Sequence, residues 1–105
     1  MIAWTTPTLP ILVRGGNILD VNCRVFFTLE QDGTELTLEP WTKEATDDGV
    51  MCELHFSQLE SGRFEAGRAK LQVNVVDSND LRAASKFVSI NIGSNLIDKE
   101  IDYGV

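Results

Sequence analysis

Phe64-Glu65-Ala66-Gly67-Arg68-Ala69-Lys70-Leu71-Gln72-Val73-Asn74-Val75-Val76-Asp77 is the stretch on which the fold turns. From Ala69 to Val75 every second residue is apolar, and the intervening Lys70, Gln72 and Asn74 are polar. A period of two marks a strand with one buried face, because successive strand side chains point to opposite sides. Gln72 and Asn74 would disrupt an apolar helix face but suit the open face of an antiparallel sheet. Gly67 before the run and Ser78-Asn79-Asp80 after it supply the turns that bound it. The stretch is therefore expected to be a central strand of an all-β domain.

Neighbouring segments read as its partners. Thr8 to Val13 alternates on Leu9, Ile11 and Val13, with Pro10 confining it to a sheet edge. Gly15-Gly16-Asn17 is a turn, and Ile18 to Gln31 is the longest alternation, with Phe26 alone breaking its polar parity. Asp32-Gly33 is a short-hairpin signal, and Thr34 to Glu39 is the returning strand. Pro40-Trp41 closes it, and part of Trp41 to Ala45 reads as a short edge strand. Val50 to Ser57 alternates again. Gln58 to Phe64 suits one helical turn crossing the end of a sandwich, with Leu59 and Phe64 plugging that end. Ala84 to Ile92 reads as the last strand, with Ala84, Val88, Ile90 and Ile92 on one parity.

Short strands separated by turns every ~8–12 residues give an antiparallel immunoglobulin-like β-sandwich of about seven strands. One domain spans 1–105, with its strand core over about 8–93 and short arms at either end. The expected core is Leu71, Val73, Val75, Val21, Val25, Phe27, Leu54, Phe56 and Ile90.

Composition narrows the partners. Sixteen acidic against nine basic side chains give a net charge of −7. Nucleic-acid binding is not expected, because it needs concentrated Lys and Arg. No membrane partner is expected either, since no apolar run approaches the ~20 residues needed to span a bilayer. Met1 to Pro7 lacks the basic start and apolar centre of a signal peptide, so a life without Sec export is expected. Cys23 and Cys52 both fall on the apolar parity of their segments and are expected to be buried and reduced. A disulfide between them stays open if their strands are neighbours in register.

No catalytic constellation emerges, and neither cofactor nor metal is expected. Cys52 and His55 stand three apart on a strand and so point to opposite faces, which excludes a nucleophile–base pair. His55 reads as an exposed strand residue. Asp77, Asn79 and Asp80 provide fragments of a calcium loop, but Asp and Asn are also the ordinary formers of turns. The chain is expected not to be an enzyme.

Apolar residues outside the strands remain. Ile2 and Trp4 lie at one end, and Leu96, Ile97, Ile101 and Tyr103 lie among Asp98, Glu100 and Asp102 at the other. They either fold back on the domain or dock on a neighbouring chain. Trp4, Trp41, Leu96, Ile97, Ile101 and Tyr103 are the candidate interaction residues.

Five segments carry a family resemblance: Trp4-Thr5-Thr6-Pro7-Thr8, Thr28-Leu29-Glu30-Gln31, Phe64 to Asn74, Asn95-Leu96-Ile97 and Tyr103-Gly104. In their order they resemble small prophage proteins of gut-type Gram-positive bacteria, encoded among tail and host-recognition genes. The chain departs from that pattern in carrying Val76 where an aromatic Trp is expected. The resemblance implies an immunoglobulin-like virion protein of the tail or baseplate, assembled in the host cytoplasm. Its partners would be other tail or baseplate proteins or a second copy of itself, and no catalytic residues carry over. The alternative is a carbohydrate- or host-surface-binding module, for which Trp4, Trp41, Phe26 and Tyr103 would have to cluster.

Overall fold

The period-two stretch forms the longest strand of the computed structural model, which describes residues 1–15 and 22–104. In chain order the strands are β1 (Thr8–Val13), β2 (Arg24–Gln31), β3 (Thr34–Leu38), β4 (Thr42–Thr46), β5 (Gly49–His55), β6 (Gly67–Val76), β7 (Arg82–Ala84) and β8 (Val88–Ile92). A single helical turn, α1 (Gln58–Ser61), joins β5 to β6. One sheet has the order β1-β5-β4, and the other has β3-β2-β6-β7, with β8 also paired to β6. Every strand pairing is antiparallel. The protein is thus an all-β sandwich.

Register follows from burying one parity of each strand, since a one-residue slip would turn every apolar side chain outward. Val25, Phe27 and Leu29 of β2 lie opposite Val75, Val73 and Leu71 of β6. Across the interior, Val50, Cys52 and Leu54 of β5 belong to the same buried cluster. Of the expected core, Val73 and Ile90 are only partly buried, and Val21 lies outside the described residues. The β2–β3 hairpin closes through Asp32 (φ 49°) and Gly33 (φ 90°). Two successive left-handed residues make the turn whose twist matches that of paired strands.

Three local features differ from the sequence expectation. The strand expected over Ala84–Ile92 is split. Asn74 pairs with Ala84, yet Leu71 pairs with Val88, so Gln72 and Val73 face the three residues Ser85, Lys86 and Phe87. The extra residue is a β-bulge, and Ser85 stabilises it: its N–H donates to the Val73 carbonyl (2.8 Å) while its Oγ accepts from the Val73 N–H (3.0 Å). Ala84 therefore shares a face with Asn74, not with Val88 and Ile90. Second, Asn22 and Cys23 are not extended, so β2 begins at Arg24. The remainder of the expected strand, 18–21, lies outside the described residues, as do Gly16 and Asn17 of the expected turn. Third, Phe64 plugs the end of the sandwich but Leu59 does not, being 55% exposed.

Cys23 and Cys52 are both buried, and no disulfide joins them. Burial pushes the Cys52 thiol up, and the Lys43 ammonium nearby partly offsets that. Lys43 sits on the inward parity of β4, opposite Cys52, and its Nζ donates to the Cys23 carbonyl. A half-buried ammonium needs such a partner, because leaving it unpaired is costly.

Candidate functional site at the helical-turn end

α1 is short, but its start is well determined. Ser57 Oγ accepts from the Glu60 N–H (3.1 Å), and Glu60 Oε1 accepts from the Ser57 N–H (2.8 Å). This reciprocal box satisfies two N–H groups at a helix start that has no helical partners for them. Ser61, fully buried, donates to the Thr5 carbonyl (2.6 Å) and so ties the N-terminal segment to the helical turn.

That segment is absorbed by its own domain. The Ala3 N–H donates to the Gly93 carbonyl (3.0 Å) and the Gly93 N–H to the Met1 carbonyl (2.6 Å), extending the β8 edge with a parallel bridge. Asn95 adds a side-chain bond to the Ala3 carbonyl (3.1 Å). Ala3 is 4% exposed, and the Trp4 ring packs against the core over Gly62. A Cβ on Gly62 would lie 2.4 Å from the indole, so the close approach requires glycine there.

Leu96, Ile97, Ile101 and Tyr103 present the opposite case. All four are exposed, Leu96 and Tyr103 wholly so. Gln58 of α1 anchors this segment: it donates through Nε2 to the Ile101 carbonyl (2.9 Å) and accepts from the Ile101 N–H at Oε1 (2.8 Å).

Trp41 lines a cleft together with Ser57 and Glu60 at the start of α1. It is 73% exposed, and one face of its ring stacks on the His55 imidazole, with centroids 3.9 Å apart and planes 9° from parallel. His55, expected from parity to be an exposed strand residue, is therefore largely covered, its side chain 27% exposed. The imidazole also reaches Thr8 Oγ1 (3.4 Å) and Glu53 Oε2 (3.5 Å). The cleft opens beside the stack and measures about 470 Å³, with Leu38 and Phe56 as apolar lining and Glu39 and Glu60 as charged lining. The Arg24 guanidinium bonds Glu39 (3.0 Å) and holds its carboxyl below the usual range.

Sequence reasoning singled out Trp41 but missed its partner. Continued alternation would place Trp41 opposite the inward Leu54. The chain bends there before β4 begins, and the ring swings onto the outer face instead. The Asp47-Asp48 turn was the available signal, since pairing β4 to β5 across it brings Thr42 beside Glu53 and hence Trp41 close to His55.

The aromatics named for a carbohydrate platform are dispersed. Trp4 and Trp41 line separate clefts. Phe26 lies under the Arg24 guanidinium (4.9 Å) on the outer face of the other sheet, and Tyr103 is wholly exposed. A further cleft on that sheet is lined in part by Phe87, whose ring is already occupied by the Lys70 ammonium at 5.4 Å. Asp77 accepts from the Asn79 and Leu81 N–H groups (2.8 and 3.0 Å), the behaviour of a turn former. Among the described residues no three His, Cys, Asp or Glu side chains gather to hold a metal. No helix among them is long and apolar enough to cross a membrane. No family model, curated protein or solved structure matches the chain.

Proposed function

We propose that this chain is a non-enzymatic phage or prophage virion protein, a structural or adaptor component of the tail or baseplate that works through protein–protein contacts. The observation that carries the reading is the exposed apolar side chains on α1, on the segment that Gln58 of α1 anchors and at the cleft beside its start. Leu59 and Ile101 are each 55% exposed, Trp41 more so, and Leu96 and Tyr103 are uncovered. Isolated exposed apolar residues are ordinary, but several along one anchored segment suit an interface, and exposed tryptophans are frequent interface anchors. Asp98, Glu100 and Asp102 interleave with them and favour a basic partner surface.

Strand order supports an immunoglobulin-like assignment. β3-β2-β6 with the β7/β8 edge corresponds to the C′CFG sheet of that fold, and β1-β5-β4 corresponds to its B, E and D strands. The parallel Ile2–Gly93 bridge then occupies the place of a first strand. Resemblance to prophage tail proteins supplies the virion context. Particles induced from a lysogen carrying the gene, purified and washed at high salt, should contain the chain in fixed ratio to the tail proteins. Its absence from such particles would overturn the virion assignment.

A further inference from the structure

We infer that the cleft beside Trp41 receives an arginine side chain of a protein partner; the inference rests on the contact function proposed above and names the chemistry of one contact. The indole is fixed before any ligand arrives. His55 covers one of its faces, and the Trp41 N–H donates to the Glu53 carbonyl at 2.9 Å, which holds the backbone. With the residue 73% exposed, the rest of the ring is available. Tryptophan is the strongest aromatic acceptor for a cation, and arginine is the cation that stacks flat on it.

The polar groups of the cleft select the same ligand. Glu39 and Glu60 line it, Glu39 with its Oε1 already bonded to Arg24, and among the described residues no Lys or Arg lines the cleft. Glu60 engages the Ser57 N–H through Oε1, which leaves Oε2 for a ligand, and Ser57 Oγ itself acts as an acceptor toward the helical turn. The two carboxylates favour a cation with several donors, and a guanidinium carries five N–H donors and no acceptor. A sugar hydroxyl carries no charge to complement the carboxylates. Leu38 and Phe56 provide an apolar wall for the methylene stem. The net charge of −7 adds long-range attraction for a basic partner.

The test uses the full-length protein labelled with ¹⁵N, the blocked peptide acetyl-Gly-Arg-Arg-Gly-amide, its citrulline counterpart, and chitotriose. Arginine peptide should shift the Trp41 indole N–H resonance saturably while leaving that of Trp4 in place. Citrulline, of the same shape without the charge, should bind at least tenfold more weakly. Trp41→Ala should abolish the binding. Glu60→Gln, which keeps the capping geometry, should weaken it severalfold without changing the melting temperature. Equal shifts with citrulline, saturable binding of chitotriose alone, or no movement of the Trp41 resonance would each overturn the inference. If the chain is found in particles and the arginine peptide fails, only this contact is wrong. If the peptide binds and particles lack the chain, the site stands and the virion assignment falls.

Discussion

The two terminal segments carry similar apolar content and meet opposite fates. Ile2-Ala3-Trp4 is incorporated through its backbone and two of its side chains: backbone bonds join it to Gly93, Ala3 is buried, and Trp4 lies over a glycine that leaves room for its ring, while Ile2 stays 51% exposed. Leu96 to Tyr103 is held mainly by the Gln58–Ile101 pair and keeps its large side chains in solvent. Hydrophobicity does not separate them. The difference is that one segment finds strand-edge donors and acceptors in register together with a space of matching shape, while the other is anchored by the Gln58 amide. Trp4 also adopts φ 65°, a left-handed backbone that costs a non-glycine residue about 1–2 kcal/mol and persists only where packing compensates.

Substitutions on either side should separate the two segments, and the largest effect is expected from Trp4→Ala. Losing a ring packed against the core should cost about 2–4 kcal/mol, a fall in melting temperature of roughly 10–25 °C for a domain of this size. A melt within a few degrees of the parent would mean the N-terminal segment is no more integral than the C-terminal one. Gly62→Ala should follow, at about 1–3 kcal/mol, because the added methyl meets the indole. Combining it with Trp4→Ala should cost clearly less than the sum, since the clash disappears with the ring. Additive losses in that cycle would place the strain elsewhere. Gln58→Ala should cost only about 1 kcal/mol or less, confined to the segment it holds. Hydrogen exchange at the Ile101 amide should accelerate while the melting temperature barely moves. Smallest of all, Leu96→Ser with Tyr103→Ser should stay within about 0.5 kcal/mol. A larger loss in thermal melting would show these side chains to be part of the core.

Much of the sandwich was legible because it rests on alternation. β6, β5 and the β2–β3 hairpin follow from period two and from Asp32-Gly33, and Phe27, Leu54 and Val75 are buried as their parity requires. What escaped depends on contacts that parity does not encode. The bulge at Ser85 arises because a hydroxyl takes an acceptor position normally filled by a carbonyl. Leu59 and Phe64 are equally apolar, and only their placement around a single helical turn sends one out and the other in. The Trp41–His55 stack lies at a bend where alternation has ended. Gly62 reads as an ordinary turn residue until Trp4 is seen above it.

Residues beyond Asn95 are expected to form a contact surface and not a structural strand. A chain ending at Asn95 tests this most directly, through thermal melting together with loading onto tail particles. Asn95 keeps its bond to Ala3 in that variant, so the N-terminal latch is preserved. The account predicts a cooperative melt within roughly 5 °C of the intact chain, corresponding to about 1 kcal/mol or less, and a loss of loading. A truncated chain that fails to fold, or that folds and loads as well as the intact one, would contradict it.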